Sequence, residues 1–200
     1  MIYENDALIQ GTIVHKYVND KVTILTLSTG RNAAGIVNYP KIVFFNDSNL
    51  GADKFEVYDR VTVRGNVQSS FRRNDERPHV TQSIYGEEIH ETPRVMESFG
   101  IKEGNYEAPK NQIRLAGEVL SVDEPAKNVV RLLVRTIKNG RTSNVQMFDF
   151  TSRAEKLMEE IKTGDNVCVI ANVQTSKKEK EGNPVYYENV VVQQIEKVEA

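Results

Sequence analysis

The stretch Val61-Thr-Val-Arg-Gly-Asn-Val-Gln-Ser-Ser70 returns 106 residues later as Val167-Cys-Val-Ile-Ala-Asn-Val-Gln-Thr-Ser176. The same offset carries Gly11 onto Gly117, Phe44 onto Phe150, Asp59 onto Asp165, Pro78 onto Pro184 and Ile89 onto Ile195. One offset that serves the whole length makes the chain a duplication whose copies have nearly equal element lengths. Whatever fold one copy adopts must therefore be one that about 100 residues can build, twice. Between the copies, Ser98-Phe-Gly-Ile-Lys-Glu-Gly-Asn-Tyr-Glu-Ala-Pro109 holds two glycines, a proline and no sustained period, which reads as a linker. The expected division is a first domain over 1–98, a linker over 99–110 and a second domain over 111–200.

The second copy has the clearer pattern. Ile113, Leu115, Gly117 and Val119 alternate with Arg114, Ala116 and Glu118, a strand with one buried face. Val130, Leu132 and Val134 alternate with Arg131, Leu133 and Arg135 in a second strand. Asn139-Gly140 then signals a hairpin, because both residues tolerate positive φ. A third strand is expected over about 144–150. Ala154, Leu157, Met158 and Ile161 fall on one helical face, and Thr163-Gly164 ends that helix. Val167, Val169, Ala171 and Val173 make a fourth strand, and a charged loop from Lys177 to Asn183 leads through Pro184 into a fifth.

The first copy repeats this order, with strands over Leu8–Lys16, Val22–Ser28, Lys41–Asn46, Arg60–Ser69 and Val80–Ile89. Its segment from Asn46 to Phe55 is rich in turn formers, so a loop or one short turn is expected in place of the helix. Five strands with a helix between the third and fourth is the order of the OB-fold, a small Greek-key barrel. The expected fold class is all-β with a minor helix: two tandem OB-fold barrels in one chain.

Composition narrows the function. The 39% hydrophobic and 27% charged content is that of a globular protein, and no apolar run is long enough to span a bilayer. The first residues lack the basic-then-apolar pattern of a secretory signal, so a cytoplasmic protein is expected, with no membrane partner. Cys168 alone cannot form an internal disulfide, and His15, His79 and His90 are too dispersed for a metal cluster. Phosphate-loop, nucleophile-elbow and metalloprotease motifs are missing. No catalytic residue, metal or cofactor is expected. The formal charge of −2 removes the simplest sign of a nucleic-acid binder, leaving local clusters of basic residues as the evidence to weigh.

The second copy resembles the bacterial single-stranded DNA-binding protein family. The resemblance rests on Asn111-x-Ile-x-Leu-x-Gly-x-Val119, Phe150 with Ala154-Glu155 after it, Lys162-Thr-Gly-Asp165, Val169-x-x-Asn-Val-Gln174, and Tyr186 ahead of Val190-Val-Val192. It implies a non-enzymatic protein that coats exposed single strands in replication, recombination or mobile-element transfer. Since the family generally assembles four OB-folds, it also implies a homodimer of this two-barrel chain. The chain departs from the family in having no tryptophan, Asn144 where an aromatic is usual, and no acidic tail after strand five. An OB-fold that has become a protein-interaction adaptor is the alternative.

Single strands are bound by stacking bases on aromatics and tracking phosphates with Lys and Arg. If Val145 and Met147 fill the core, Phe148 and Phe150 face outward, and Phe150 lies where the family has a stacking aromatic. Phe44 joins the candidates as its partner under the 106-residue offset. Phe71 follows strand four, where the family places a stacking tryptophan, and Arg72, Arg73 and Arg77 surround it on an expected exposed loop. In the second copy, Lys177, Lys178 and Lys180 occupy the corresponding loop. Arg64, Arg131 and Arg135 are expected on outward strand faces, with Lys138 and Arg141 flanking the Asn-Gly turn.

Overall fold

The computed structural model describes residues 3–29, 37–72, 79–92, 110–150, 154–180 and 183–198. Ten strands follow one another: β1 (Glu4–Val18), β2 (Val22–Ser28), β3 (Lys41–Phe45), β4 (Arg60–Arg72), β5 (His79–Glu91), β6 (Asn111–Ala126), β7 (Val129–Lys138), β8 (Arg141–Asp149), β9 (Asn166–Lys180) and β10 (Asn183–Val198). Among the described residues one short helix, α1 (Ala154–Glu160), lies between β8 and β9 and buries Leu157, with Ile161 buried just beyond its end. At the matching place in the first half are two 3-10 turns, Asn46–Ser48 and Ala52–Lys54.

The strand order is β2-β3-β5-β4-β1-β6-β7-β8-β10-β9, with further pairings β1–β2 and β6–β9. Those two pairings close each half into a five-stranded barrel whose third and fifth strands run parallel. This is the OB-fold, twice, as the element order predicts. Closure needs β1 to turn sharply past β2. A Cβ on Gly11 would lie 2.3 Å from the Ser28 carbonyl oxygen, and one on Gly117 would lie 1.9 Å from that of Arg135. Both glycines are therefore required by close backbone approach. At the β7–β8 hairpin, Asn139 and Gly140 both have positive φ (51° and 75°), as a two-residue primed turn demands.

The barrels are joined through their first strands. β1 and β6 pair antiparallel from Glu4↔Ala116 to Ile9↔Asn111, and Ala7 faces Ile113. Those two residues are equivalent under the 106-residue offset, so the pairing creates a local two-fold axis between them. The bonds continue past the strand end, with Gln10 N donating to Lys110 O (2.8 Å) and Lys110 N to Gln10 O (3.2 Å). The first-strand edges of both barrels are thus consumed within the chain.

Each half anchors the start of its first strand alike. Asn5 Nδ2 donates to Val67 O (2.7 Å) and Asn5 Oδ1 accepts from Val67 N (2.9 Å); Asn111 does the same with Val173, at 2.7 and 2.9 Å. A side-chain amide thus replaces a backbone unit in the ladder, which satisfies buried donors and acceptors. The Asn-Val-Gln repeat supplies that buried valine in both halves.

Two expected loops are ladders instead. β9 and β10 pair out to Lys180↔Asn183, and β4 and β5 to Arg72↔His79, so each pair projects as an extended arm.

The halves also differ in packing. A Cβ on Gly86 would lie 2.0 Å from the ring of Phe44, which is 1% exposed. The second half has Val192 in place of Gly86 and small, buried Asp149 in place of Phe44. The turn before β4 shows a second divergence. Tyr58 N donates to Ile13 O and Gly164 N to Val119 O, both at 2.8 Å, in turns otherwise alike. Gly164 has φ +91°, ordinary for glycine, but Tyr58 has φ +81° and is 84% exposed. A tyrosine in the left-handed region carries a steric penalty, and so exposed a ring gains little packing to offset it. Tyr58→Gly should raise unfolding free energy by about 1 kcal/mol, the penalty less the entropy cost of glycine. Denaturant titration of parent and variant at equal concentration measures this; an unchanged or lowered midpoint would contradict it.

Candidate nucleic-acid interface

The outward face of each barrel is built by strand alternation. In β8, Val145, Met147 and Asp149 are buried. Phe148 and Phe150 therefore face outward, and their rings stack with centroids 5.8 Å apart and planes 9° apart. Phe150 is 50% exposed. Arg131 lies opposite Phe148 on β7.

In β3 the expectation needs correction. Phe44 is core, with Ile42 beside it in the alternation, and cannot present its ring to a ligand. The parallel pairing explains why. Val43 lies beside Tyr85 and Phe148 beside Val191, so Val43 matches Phe148 and Phe45 matches Phe150, one residue off the global offset. Between equivalent paired positions the chain from Ile24 to Val43 is two residues longer than that from Arg131 to Phe148, and compensating differences on either side restore the offset elsewhere. A one-residue shift exchanges the two faces of a strand. Phe45 is the outward aromatic, 46% exposed and stacked on Tyr85 with centroids 5.3 Å apart. The alternation Ile42, Phe44 could have revealed it.

The cations are largely committed. Arg131 grips Asp123 through two hydrogen bonds, Nε to Oδ1 at 2.8 Å and Nη2 to Oδ2. Those bonds hold the Asp123 carboxyl below its ordinary range and raise Arg131 in turn. Arg135 reaches Glu118 at 3.3 Å. Lys138 contacts Asp6 at 2.6 Å and Glu87 at 2.7 Å, tying the second barrel to the first. Burial disfavours its charge, but the two carboxylates outweigh burial and raise its pKa. Arg64 is exposed opposite Glu88 on a groove it shares with Glu4, Asp6, Glu87, Arg114 and Lys138. Arg141 is exposed beside a polar cleft lined by Asn66, Gln68 and Glu87. The structure thus brings Arg64, Lys138 and Arg141 toward the junction of the barrels, and Arg131 toward Phe148. Exposed pairs such as Arg131–Asp123 contribute about 0–1 kcal/mol, so a phosphate could replace the carboxylate at small cost.

The arms carry the remaining candidates. Phe71 and Arg72 are the last residues of β4, paired with Val80 and His79, rather than members of a loop. Lys177, Lys178 and Lys180 lie on β9, opposite Tyr186, Val185 and Asn183. Arg73 and Arg77 lie outside the described residues.

Each arm docks on the other barrel. Ser69 Oγ accepts from Asn144 N (2.9 Å), while Gln82 accepts from Gln146 N (3.0 Å) and donates to Gln146 O (2.9 Å). Across the two-fold, Thr175 Oγ accepts from Tyr39 N (2.9 Å) and Glu188 Oε2 accepts from Lys41 N (3.2 Å). The arms therefore bridge the barrels at both ends of the β1–β6 seam. Glu188 stands where its counterpart is the neutral Gln82. Burial pushes its carboxyl pKa up, against the opposing pull of Lys41.

No protein-family model and no curated protein sequence matches the chain. Among solved structures, wild-type single-stranded DNA-binding protein from Thermus aquaticus superposes with a TM-score of 0.66 at 17% identity, covering 100% of this chain and 95% of that one. A deletion mutant of the same Thermus protein gives 0.66 at 16% identity, covering 99% and 96%. The likeness spans both barrels and shows a shared two-barrel fold.

The Glu188 contact has a pH signature. A carboxyl whose pKa is raised on folding binds its proton more tightly in the native state, so stability falls as pH rises through that window. Glu188→Gln should remove this slope. Thermal melts from pH 7 down through the ordinary carboxylate range, to about pH 4, should show the parent gaining stability relative to the variant; parallel curves would refute the assignment.

Proposed function

We propose that this protein is a non-enzymatic single-stranded DNA-binding protein that coats exposed strands in the cytoplasm. The observation that carries the reading is an outward aromatic stack on each barrel, Phe45 on Tyr85 and Phe148 on Phe150, with Phe45 and Phe150 at matching places on two barrels held by one seam. Exposed aromatics offer π-faces to any base, which gives sequence-tolerant binding. The Thermus protein that shares this two-barrel fold is itself a single-stranded DNA-binding protein, which supports the same direction. In this reading Arg131 and Arg135 exchange carboxylate partners for phosphates. Phe71, Arg72, Arg73 and Arg77, with Lys177, Lys178 and Lys180, complete the proposed set of contacts to the strand. Replication, recombination and mobile-element transfer are the settings that supply such strands.

The adaptor reading draws on one observation, the pairing of Arg131, Arg135 and Lys138 with carboxylates. Titration of fluorescein-labelled oligo-dT separates the two readings. Binding should weaken steeply between about 50 and 200 mM salt, and Arg131→Ala with Arg135→Ala should flatten the log–log slope by about 0.7 for each phosphate that is no longer neutralised. Phe71→Ala should weaken binding by about 1–3 kcal/mol and leave that slope unchanged. A parent that shows no salt-dependent binding would promote the adaptor.

Association of two chains belongs to the same proposal, since a dimer supplies four barrels to one strand. It must use a surface other than the β1–β6 seam, which is already occupied. Light scattering should give about 45 kDa, twice the 22.7 kDa chain. A monomer at micromolar concentration would contradict it.

A further inference from the structure

The duplicated barrels share a backbone plan but differ in surface. In barrel one, Tyr17 pairs with Ile24, Ile24 with Val43, and Val43 with Tyr85, a row crossing β1, β2, β3 and β5. The matching row of barrel two is Asp123, Arg131, Phe148 and Val191. Directly paired residues lie on one face of a sheet. Barrel one therefore presents an uncharged, mostly apolar row, extended by Phe45 on its stack with Tyr85. Barrel two interrupts the same row with the Arg131–Asp123 ion pair, and ends it on Val191, which is only 5% exposed.

The fold does not demand the apolar row. Barrel two builds the same strands with Asp123 and Arg131 in the places of Tyr17 and Ile24, so half-exposed Tyr17 is not needed to close a barrel. The two surfaces would also meet a base differently. A base settling over barrel two must lie beside, or displace, a hydrogen-bonded ion pair. One settling on this row of barrel one lies over rings and aliphatic groups, and displaces water from mostly apolar surface.

We propose that the two barrels are functionally unequal: barrel one, through Tyr17, Phe45 and Tyr85, is the principal base-stacking half, and barrel two engages the strand more weakly. This rests on the single-strand-binding reading above and assigns stacking roles to Tyr17 and Tyr85. The ligand feature recognised is the π-face of an unstacked base, so discrimination between base sequences is small.

The test uses the full chain and labelled oligo-dT of about ten nucleotides, within the site size of one OB-fold. Phe45→Leu and Tyr85→Val, the latter importing the residue barrel two carries, should each weaken binding about tenfold without changing the salt slope. Phe150→Leu should weaken it less than about threefold. Tyr85→Phe should bind within about twofold of the parent, a rescue that a merely structural role for the hydroxyl would not give. Phe150→Leu costing as much as Phe45→Leu, or Tyr85→Val binding as the parent does, would overturn the inequality while leaving the function standing. A parent that does not bind the oligonucleotide at low salt would overturn the function itself, and this inference with it.

Discussion

The antiparallel pairing of β1 with β6 is the constraint on which the rest of the molecule depends. It sets equivalent residues opposite each other at Ala7 and Ile113, and a two-fold relation between the barrels follows. That relation decides where each arm lands. The arm of β4 and β5 meets the backbone of β8 through Ser69 and Gln82, and the arm of β9 and β10 meets the segment entering β3 through Thr175 and Glu188. It also turns Lys138 of one barrel toward Asp6 and Glu87 of the other. A chain with two barrels on a loose tether could reorient them freely; here a seam and two arms oppose that, and both aromatic faces keep a fixed relation.

Duplication allows each half to serve as a control for the other. Features present in both are ones the fold needs: the close-approach glycines Gly11 and Gly117, and the amide brackets of Asn5 and Asn111 around a buried valine. Features that differ are free to carry function or compensation. Phe44 over Gly86 answers Asp149 beside Val192, an exchange of volume between neighbouring strands. Glu188 in place of Gln82 gives one arm contact an ionisable group. Tyr58 in place of Gly164 leaves a large ring outside the core on a left-handed backbone.

Much of this was legible in the sequence, for stated physical reasons. Alternation located the strands because one face of each is buried. The Asn139-Gly140 turn was readable because few residues accept positive φ, and α1 because Leu157 and Ile161 lie on one helical face. The outward direction of Phe148 and Phe150 followed from the same alternation. What escaped were features that local pattern does not encode. Phe44 was exchanged for Phe45 because compensating length changes around β3 hide a one-residue shift behind a constant offset. Lys177 to Asn183 read as a loop because its run of charged residues shows no apolar alternation, the signal that marks a strand in sequence. The arginine partners were hidden because Asp123 and Glu118 reach Arg131 and Arg135 across neighbouring strands.

The seam itself can be observed in solution by amide hydrogen exchange on the intact chain. If β1 and β6 form one continuous ladder, amides over 4–10 and 110–116 exchange only through the rare openings that govern barrel interiors, such as the Val61–Val67 stretch of β4. Exchange of those segments at the rate of an exposed edge, with the barrel strands still protected, would show two barrels that are merely tethered and would contradict the account.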